Sequence, residues 1–348
     1  MVLRYGEPEV VSTPLDPLED IMSLICGLRS VSYVADILRS KHGVKEKKEI
    51  VSSSRLIVTY VDDALGLIAQ AFSGPPEVSF LPLYYAILNL SKIYILMAGK
   101  RTQLERNRHH GASYPFEKRS RDLLTEQIYL HPKGVLGLFY EVLTHGEPWI
   151  SKSGRLSMKE VYPFIYPISA EYEQAYGSRS PFQPVDLRVT RKGPDQWQCE
   201  LELKWPIRFD PRKWRYIQAF RGFRPKQADK LKFVSDIVQA RDEREARRYL
   251  QSSVRSFMLY SYVDGFGKTR ILIPLSRKRL LLPEELPIWL AFFHLSNVVR
   301  YRPEFLSVLR DSKSWPMLLA LRKHATFRFL VLFWSYVQQT VFGFARSG

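Results

Sequence analysis

The sequence predicts an α+β fold that is predominantly helical: a helical N-terminal bundle over residues 1–150, a β-containing basic region over 151–280, and a helical C-terminal part over 281–348 packing on the others. Three observations carry this. Apolar residues recur at helical spacing through the first 150 positions, β-branched and aromatic runs split by Gly/Pro turns fill the middle, and helical spacing returns after Glu284. The 348 residues are 45% apolar and 25% charged, the mixture of a chain that buries a core.

Residues 15–42 place Leu18, Ile21, Met22, Ile25, Leu28, Val34, Ile37 and Leu38 at helical spacing, with Asp16 or Asp20 as the expected cap and Gly43 as the stop. Residues 41–48 read as a polar loop. Residues 61–72 read as a helix ended by Ser73-Gly74-Pro75-Pro76, with Asp62-Asp63 at its N-cap. Residues 80–99 are the most helical stretch, and residues 119–130 read as a further helix. The longest apolar runs, 81–98 and 325–344, each hold an interior charge, Lys92 and Arg328, and are expected to be buried helices, not membrane spans.

Beyond Gly146 the texture changes. Residues 161–168, 185–190 and 196–205 are rich in β-branched or aromatic residues, and the last two flank Arg191-Lys192-Gly193-Pro194-Asp195 as a hairpin. Residues 257–264 and 269–275 form a second hairpin pattern around Gly265-Phe266-Gly267-Lys268. Helices are expected again over 286–299, 305–309, 315–323 and 327–341.

Charge is the unusual property. Lys plus Arg number 52 against 35 Asp plus Glu, a net +17, and residues 1–150 hold 17 of each sign, so the whole excess lies in 151–348. A basic surplus of this size is usually matched to a polyanion. Its densest part contains Arg208, Arg212, Lys213, Arg215, Arg221, Arg224, Lys226, Lys230 and Lys232, interleaved with Phe209, Trp214, Tyr216, Phe220 and Phe223. Cations for phosphates and aromatic faces for unpaired bases, Trp214 and Phe220 foremost, point to nucleic acid, with single strands favoured. The alternative is that the aromatics face the core and the charges form a solvated face. Arg277, Lys278 and Arg279 extend the basic set in an expected strand-to-helix connection, and residues 241–250 read as a solvent-facing helix with i,i+4 ion pairs.

Several chemistries drop out. Cys26 and Cys199 are the only cysteines, which excludes a disulfide framework or a cysteine zinc site, and with no export signal at the N-terminus points to the cytoplasm. There is no H-x-x-x-H, no G-x-S-x-G and no paired acidic nuclease motif, so no metal, no cofactor and no membrane partner is expected, and no enzyme is legible.

Tyr84-Tyr85-Ala86-Ile87-Leu88-Asn89-Leu90-Ser91-Lys92, followed by His109-His110-Gly111, and the later Leu295-Ser296-Asn297-Val298-Val299-Arg300-Tyr301-Arg302-Pro303-Glu304, resemble segments of the bacterial YaaC-like family. The first segment is also similar to the paired-helix signature of HEPN domains. That resemblance implies a metal-independent ribonuclease built on an Arg, four to six residues, then a His. None of the seven histidines has an Arg at that spacing; Arg101 is too far from His109 and Arg106 too near. His109 and His110, flanked by Arg106 and Arg108, remain the candidate acid/base or phosphate-contact pair, with a capped helix start at Gly111 as the structural alternative. Asn89 and Lys92 share a helix face and are expected to anchor it to the histidine loop, while Arg300, Arg302 and Glu304 read as a helix-end ion-pair network with Pro303 opening the next helix.

The expected function is therefore non-catalytic nucleic-acid binding. The resemblances imply a component of a bacterial defence or stress assembly with a protein partner, and a homo-oligomer is compatible with this. The alternatives are a divergent HEPN-like ribonuclease and a scaffold for an acidic protein.

Overall fold

Asp16 opens the first helix as its side chain predicts, accepting the Leu18 N–H at 2.9 Å. The computed structural model describes residues 9–13, 16–115, 122–147, 154–226, 229–263, 268–276 and 282–346. Their elements, numbered in chain order, fall into two units: the described residues of Asp16–Ser180 with Glu285–Gln338, and those of Met1–Leu15, Pro181–Glu284 and Gln339–Gly348. The three segments read from the sequence are thus redistributed, because the chain leaves the helical unit and returns to it.

The helical unit holds α1 (Pro17–Cys26), α2 (Val31–Ser40), α3 (Lys47–Ser73), α4 (Phe80–Met97), α5 (Arg101–Arg106), α6 (Val135–Leu143), α7 (Ser169–Tyr176), α9 (Glu285–Tyr301), α10 (Pro303–Arg310), α11 (Trp315–Ala320) and α12 (Thr326–Gln338). A small antiparallel sheet joins β2 (Ala112–Ser113), β3 (Gln127–Leu130) and β4 (Arg155–Ser157). Helix α4 is buried nearly all round, which explains an apolar sequence not confined to one stripe. Tyr94 of α4 meets Phe139 of α6 at 5.1 Å and Tyr336 of α12 at 4.2 Å between ring centroids, and Phe80 meets Phe292 of α9 at 6.4 Å. By length and composition α3 and α4 are also long and apolar enough to cross a membrane.

Five expectations are corrected here. Helix α3 begins at Lys47, inside the expected loop, because Ile50, Ser53, Ser54, Ile57 and Val61 form one buried face and the Ser54 hydroxyl donates to the Ile50 carbonyl at 2.7 Å. Asp62 therefore lies mid-helix, paired with Arg29 at 2.6 Å, and caps nothing. Residues 161–168 are 3₁₀ turns, Tyr162–Phe164 and Tyr166–Ile168, since Pro163 and Pro167 lack the N–H a strand needs. Residues 127–130 alternate half-buried and buried as strand β3, a period of two where a helix was expected. Helix α12 likewise stops at Gln338, before a left-handed Gln339 at φ 55°.

In the other unit, β1 (Glu9–Thr13) pairs in parallel with β12 (Phe342–Arg346). A larger sheet runs β10 (Tyr260–Val263), β11 (Thr269–Pro274), β5 (Phe182–Gly193), β6 (Gln196–Leu203), β8 (Asp229–Ser235), β7 (Phe223–Lys226), with β9 (Val238–Gln239) on β6. Both expected hairpins form, β5–β6 with Val189 opposite Cys199 and β10–β11 with Ser261 opposite Ile271. Helix α8 (Glu243–Ser253) buries Ala246 and Leu250 and carries the i,i+4 pairs Arg241–Glu245, at 3.2 Å, and Arg247–Glu243. One sheet face is apolar, with Leu201, Leu203 and Phe233 buried. The other is charged.

Candidate functional site

The aromatic cations of the β unit are sorted by a 3₁₀ turn. Residues Pro211–Tyr216 make three residues per turn, capped by Asp210, which accepts the Arg212 N–H at 3.0 Å. Arg212 and Arg215 therefore align on one ridge and Lys213 and Tyr216 on the next, while Trp214 turns in against Phe233 at 5.9 Å, with the Arg215 guanidinium 5.5 Å from its ring centroid. Arg212, Lys213, Arg215 and Tyr216 are exposed. Asp210 pairs with Arg212 at 3.1 Å and also feels the charge of Lys213.

Phe220 is not available to bases. It is fully buried between Phe209 at 5.6 Å and Phe233 at 4.6 Å, and belongs to the core. Among the described aromatics of this unit that face solvent are Trp205, 80% exposed, and Tyr216, 67% exposed, with Tyr249 of α8 half exposed. Trp205 is presented by a pinned loop: the buried Gln183 side chain donates to the Lys204 carbonyl at 2.6 Å and accepts the Arg208 N–H at 2.8 Å, closing residues 204–208 at both ends.

Lys226 and Lys232 lie elsewhere, on the charged sheet face. Asp186, Arg188, Glu200 and Glu202 line that face with them. Lys226 is 3.6 Å from Glu200, Lys232 stands opposite Glu202 in the ladder, and Lys192 donates to Glu200 at 2.6 Å, the contact that holds its carboxyl below the usual range. These cations are offset locally and contribute little net positive field. Arg224 is exposed and 3.9 Å from Asp236, and Arg221 is exposed beyond the 3₁₀ turn Gln218–Phe220. The Lys230 side chain and Arg277, Lys278 and Arg279 lie outside the described residues.

In the helical unit, the chain stretches around Tyr84, His110 and Arg300 converge. The His110 ring stacks on Tyr84 at 5.6 Å, its Nδ1 bonded to the Tyr84 hydroxyl, and meets Tyr85 edge-on at 6.2 Å. The Arg300 guanidinium sits 5.5 Å from the same Tyr85 ring. Lys92 donates to Asn89 at 3.0 Å and lies 4.8 Å from the Tyr60 ring, so its direct contacts are on α4 and α3, while its charge still acts on His110 of the histidine loop.

The two histidines engage different partners. An ideal Cβ at Gly134 would fall 2.6 Å from His109 Cε1, so the glycine makes room for that imidazole. The His109 and His110 carbonyls accept the first N–H groups of α6, from Val135 at 2.8 Å and Leu136 at 3.0 Å. A capped helix start is what this loop builds, through backbone carbonyls and with Gly111 at φ +83°.

A further constellation was not legible: Glu126, His294, Tyr114 and Tyr162 joined to Arg302. The Glu126 carboxylate accepts from Arg302, from the Tyr114 hydroxyl and from His294 Nε2 at 3.0 Å, and the Tyr162 hydroxyl reaches His294 Nδ1 at 3.2 Å. Arg302 is also 3.9 Å from Glu304, while Arg300 takes no part in the network and lies against Tyr85 and Tyr301. The available signal was His294 itself, a polar ring in the apolar run of α9 that has to find partners.

These features define a two-unit α+β protein, one unit helical and sealed by a buried ionic network, the other a sheet with an aromatic, basic turn. The chain belongs to the YaaC-like family: the sequence profile described as YaaC-like Protein matches residues 27–337. No curated protein and no solved structure matches it.

Proposed function

We propose that this YaaC-like protein binds single-stranded nucleic acid on the exposed basic and aromatic surface of its β unit, without catalysis. The observation that carries the reading is the 3₁₀ turn Pro211–Tyr216, which sends Arg212, Lys213, Arg215 and Tyr216 outward while Trp214 anchors it to the core. Phosphates are met by cations and bases by Tyr216 and Trp205. A role in a defence or stress assembly is supported only by the HEPN resemblance around Asn89 and Lys92.

The test is a binding series with single-stranded RNA, single-stranded DNA and duplex at several salt concentrations. In R212E/K213E/R215E the affinity falls and the salt slope drops by roughly one per lost phosphate contact. An unchanged slope would overturn the reading. The rival ribonuclease gains one observation, that folding brings Arg300 and His110 to the same tyrosine ring although no histidine has a nearby Arg in sequence. Cleavage of RNA by the purified protein would decide for it.

A further inference from the structure

We propose that Lys92, His110 and Arg300 form a phosphate-binding site on the helical unit, with Tyr85 as its floor. The site is independent of the β-unit surface. Three elements supply it: α4 gives Tyr85, Asn89 and Lys92 at i, i+4 and i+7 on one face, the loop after α5 gives His110, and the end of α9 gives Arg300. Arg300 and His110 both contact the Tyr85 ring, at 5.5 and 6.2 Å.

Gathering three cationic or cationisable groups without an anion raises the energy of the folded state by mutual repulsion, the more so because Lys92 and His110 are half-buried. Asp63 of α3 is the carboxylate that acts on Lys92. Each group nevertheless keeps a donor in reserve. The buried Tyr84 phenol, its pKa pushed far up chiefly by burial, shares a hydrogen bond with His110 Nδ1 and leaves the Nε2 edge of the ring for a ligand. Lys92 uses one of its three N–H groups on Asn89, and Arg300 uses Nε on the Ser296 carbonyl at 3.4 Å, leaving both terminal amino groups. A phosphate, with several acceptor oxygens and one or two negative charges, satisfies all three.

Burial, then Arg300, Lys92 and His109, hold His110 below the usual imidazole range. Besides these, Tyr84 and Tyr85 of α4 are the titratable groups against the ring. A bound anion reverses the electrostatic part of that depression, so phosphate raises the His110 titration midpoint.

The experiment uses the full chain and three probes: inorganic phosphate, adenosine 5′-monophosphate, and a single-stranded oligonucleotide without a terminal phosphate. NMR of the His110 ring in the parent is expected to show an upward shift of its midpoint with phosphate over chloride at matched ionic strength. Calorimetry is expected to show at least about tenfold weaker phosphate binding in R300Q and in K92Q, from loss of one charged hydrogen bond. The R212E/K213E/R215E variant is expected to bind phosphate normally, which separates this site from the β-unit reading. Competition by the oligonucleotide identifies a backbone phosphodiester as the occupant, and binding of the mononucleotide alone identifies a terminal phosphate. No shift at His110, equal affinity in R300Q folded to the parent's melting temperature, or loss of phosphate binding in the triple variant would overturn the proposal.

Discussion

Glu126 and Arg302 form an ion pair closed off from water inside the helical unit, the carboxylate side chain 1% exposed and the guanidinium 7%. Removing two charges from solvent is costly, and the pair is tolerable only because Tyr114 and His294 fill the remaining acceptor positions of the carboxylate. Replacing Glu126 by Gln leaves Arg302 buried without its counter-charge. The expected loss is about 3–5 kcal/mol, read from urea unfolding of E126Q against the parent. A loss below about 1 kcal/mol, the size of a surface pair, would show that the network does not hold these segments together.

The same carboxyl sets an acid limit. Burial pushes Glu126 up, but hydrogen bonds from His294 and Tyr114 and the charge of Arg302 outweigh it and hold the group below the usual carboxylate range. A depressed folded pKa stabilises the fold above the unfolded value, about 4.3, and that stability is lost as pH falls through the lower folded value. Thermal melts of the parent between pH 6 and 3 are expected to fall more steeply than those of E126Q, which has no such group to titrate. Parallel acid limbs would contradict this.

Phe220 and Trp205 separate packing from presentation. Phe220→Ala empties a site between two rings and is expected to cost about 3–5 kcal/mol of stability. Trp205→Ala and Tyr216→Ala remove exposed rings and are expected to leave the melting temperature unchanged while weakening single-strand binding by about 1–3 kcal/mol per stacked base. Equal affinity for Trp205→Ala, Tyr216→Ala and the parent would remove base stacking from the proposed function.

Where a segment's own periodicity decided its fate, the sequence was readable. Helix α4, the β5–β6 hairpin and the i,i+4-paired α8 all stand where apolar spacing and turn residues put them. Helix α3 starts earlier than expected because the charged run through Lys47 and Lys48 looks like a loop until Ile50, Ser53 and Ser54 are seen to face the core. The choice between Trp214, Tyr216 and Phe220 as outward rings was invisible, since it depends on a 3₁₀ pitch and on Phe233 from another strand. For the helical unit, long-range pairing hid the chemistry: Arg300 meets the His110 site, and Arg302 meets Glu126, across most of the chain. Spacing rules search one helix at a time and miss such partnerships.

The last prediction concerns cleavage. Metal-independent scission of RNA needs one group to take the 2′-hydroxyl proton and another to protonate the leaving oxygen. His110 offers one free ring nitrogen, because Nδ1 is committed to Tyr84. The exposed His109 imidazole lies over Gly134, whose φ of 101° and ψ of −178° belong to a region kept almost entirely for glycine. Arg300 suits phosphate oxygens but is a poor proton donor at neutral pH, since a guanidinium holds its protons tightly, whereas burial lowers Lys92 from the usual lysine range. Purified protein is therefore expected to bind RNA without cutting it. Gly134→Ala is expected to cost about 1–3 kcal/mol through backbone strain, and part of the further cost of crowding the imidazole is expected to be recovered in G134A/H109A. Metal-independent cleavage by the parent that disappears in H110A at an unchanged melting temperature would replace the binding protein with a ribonuclease.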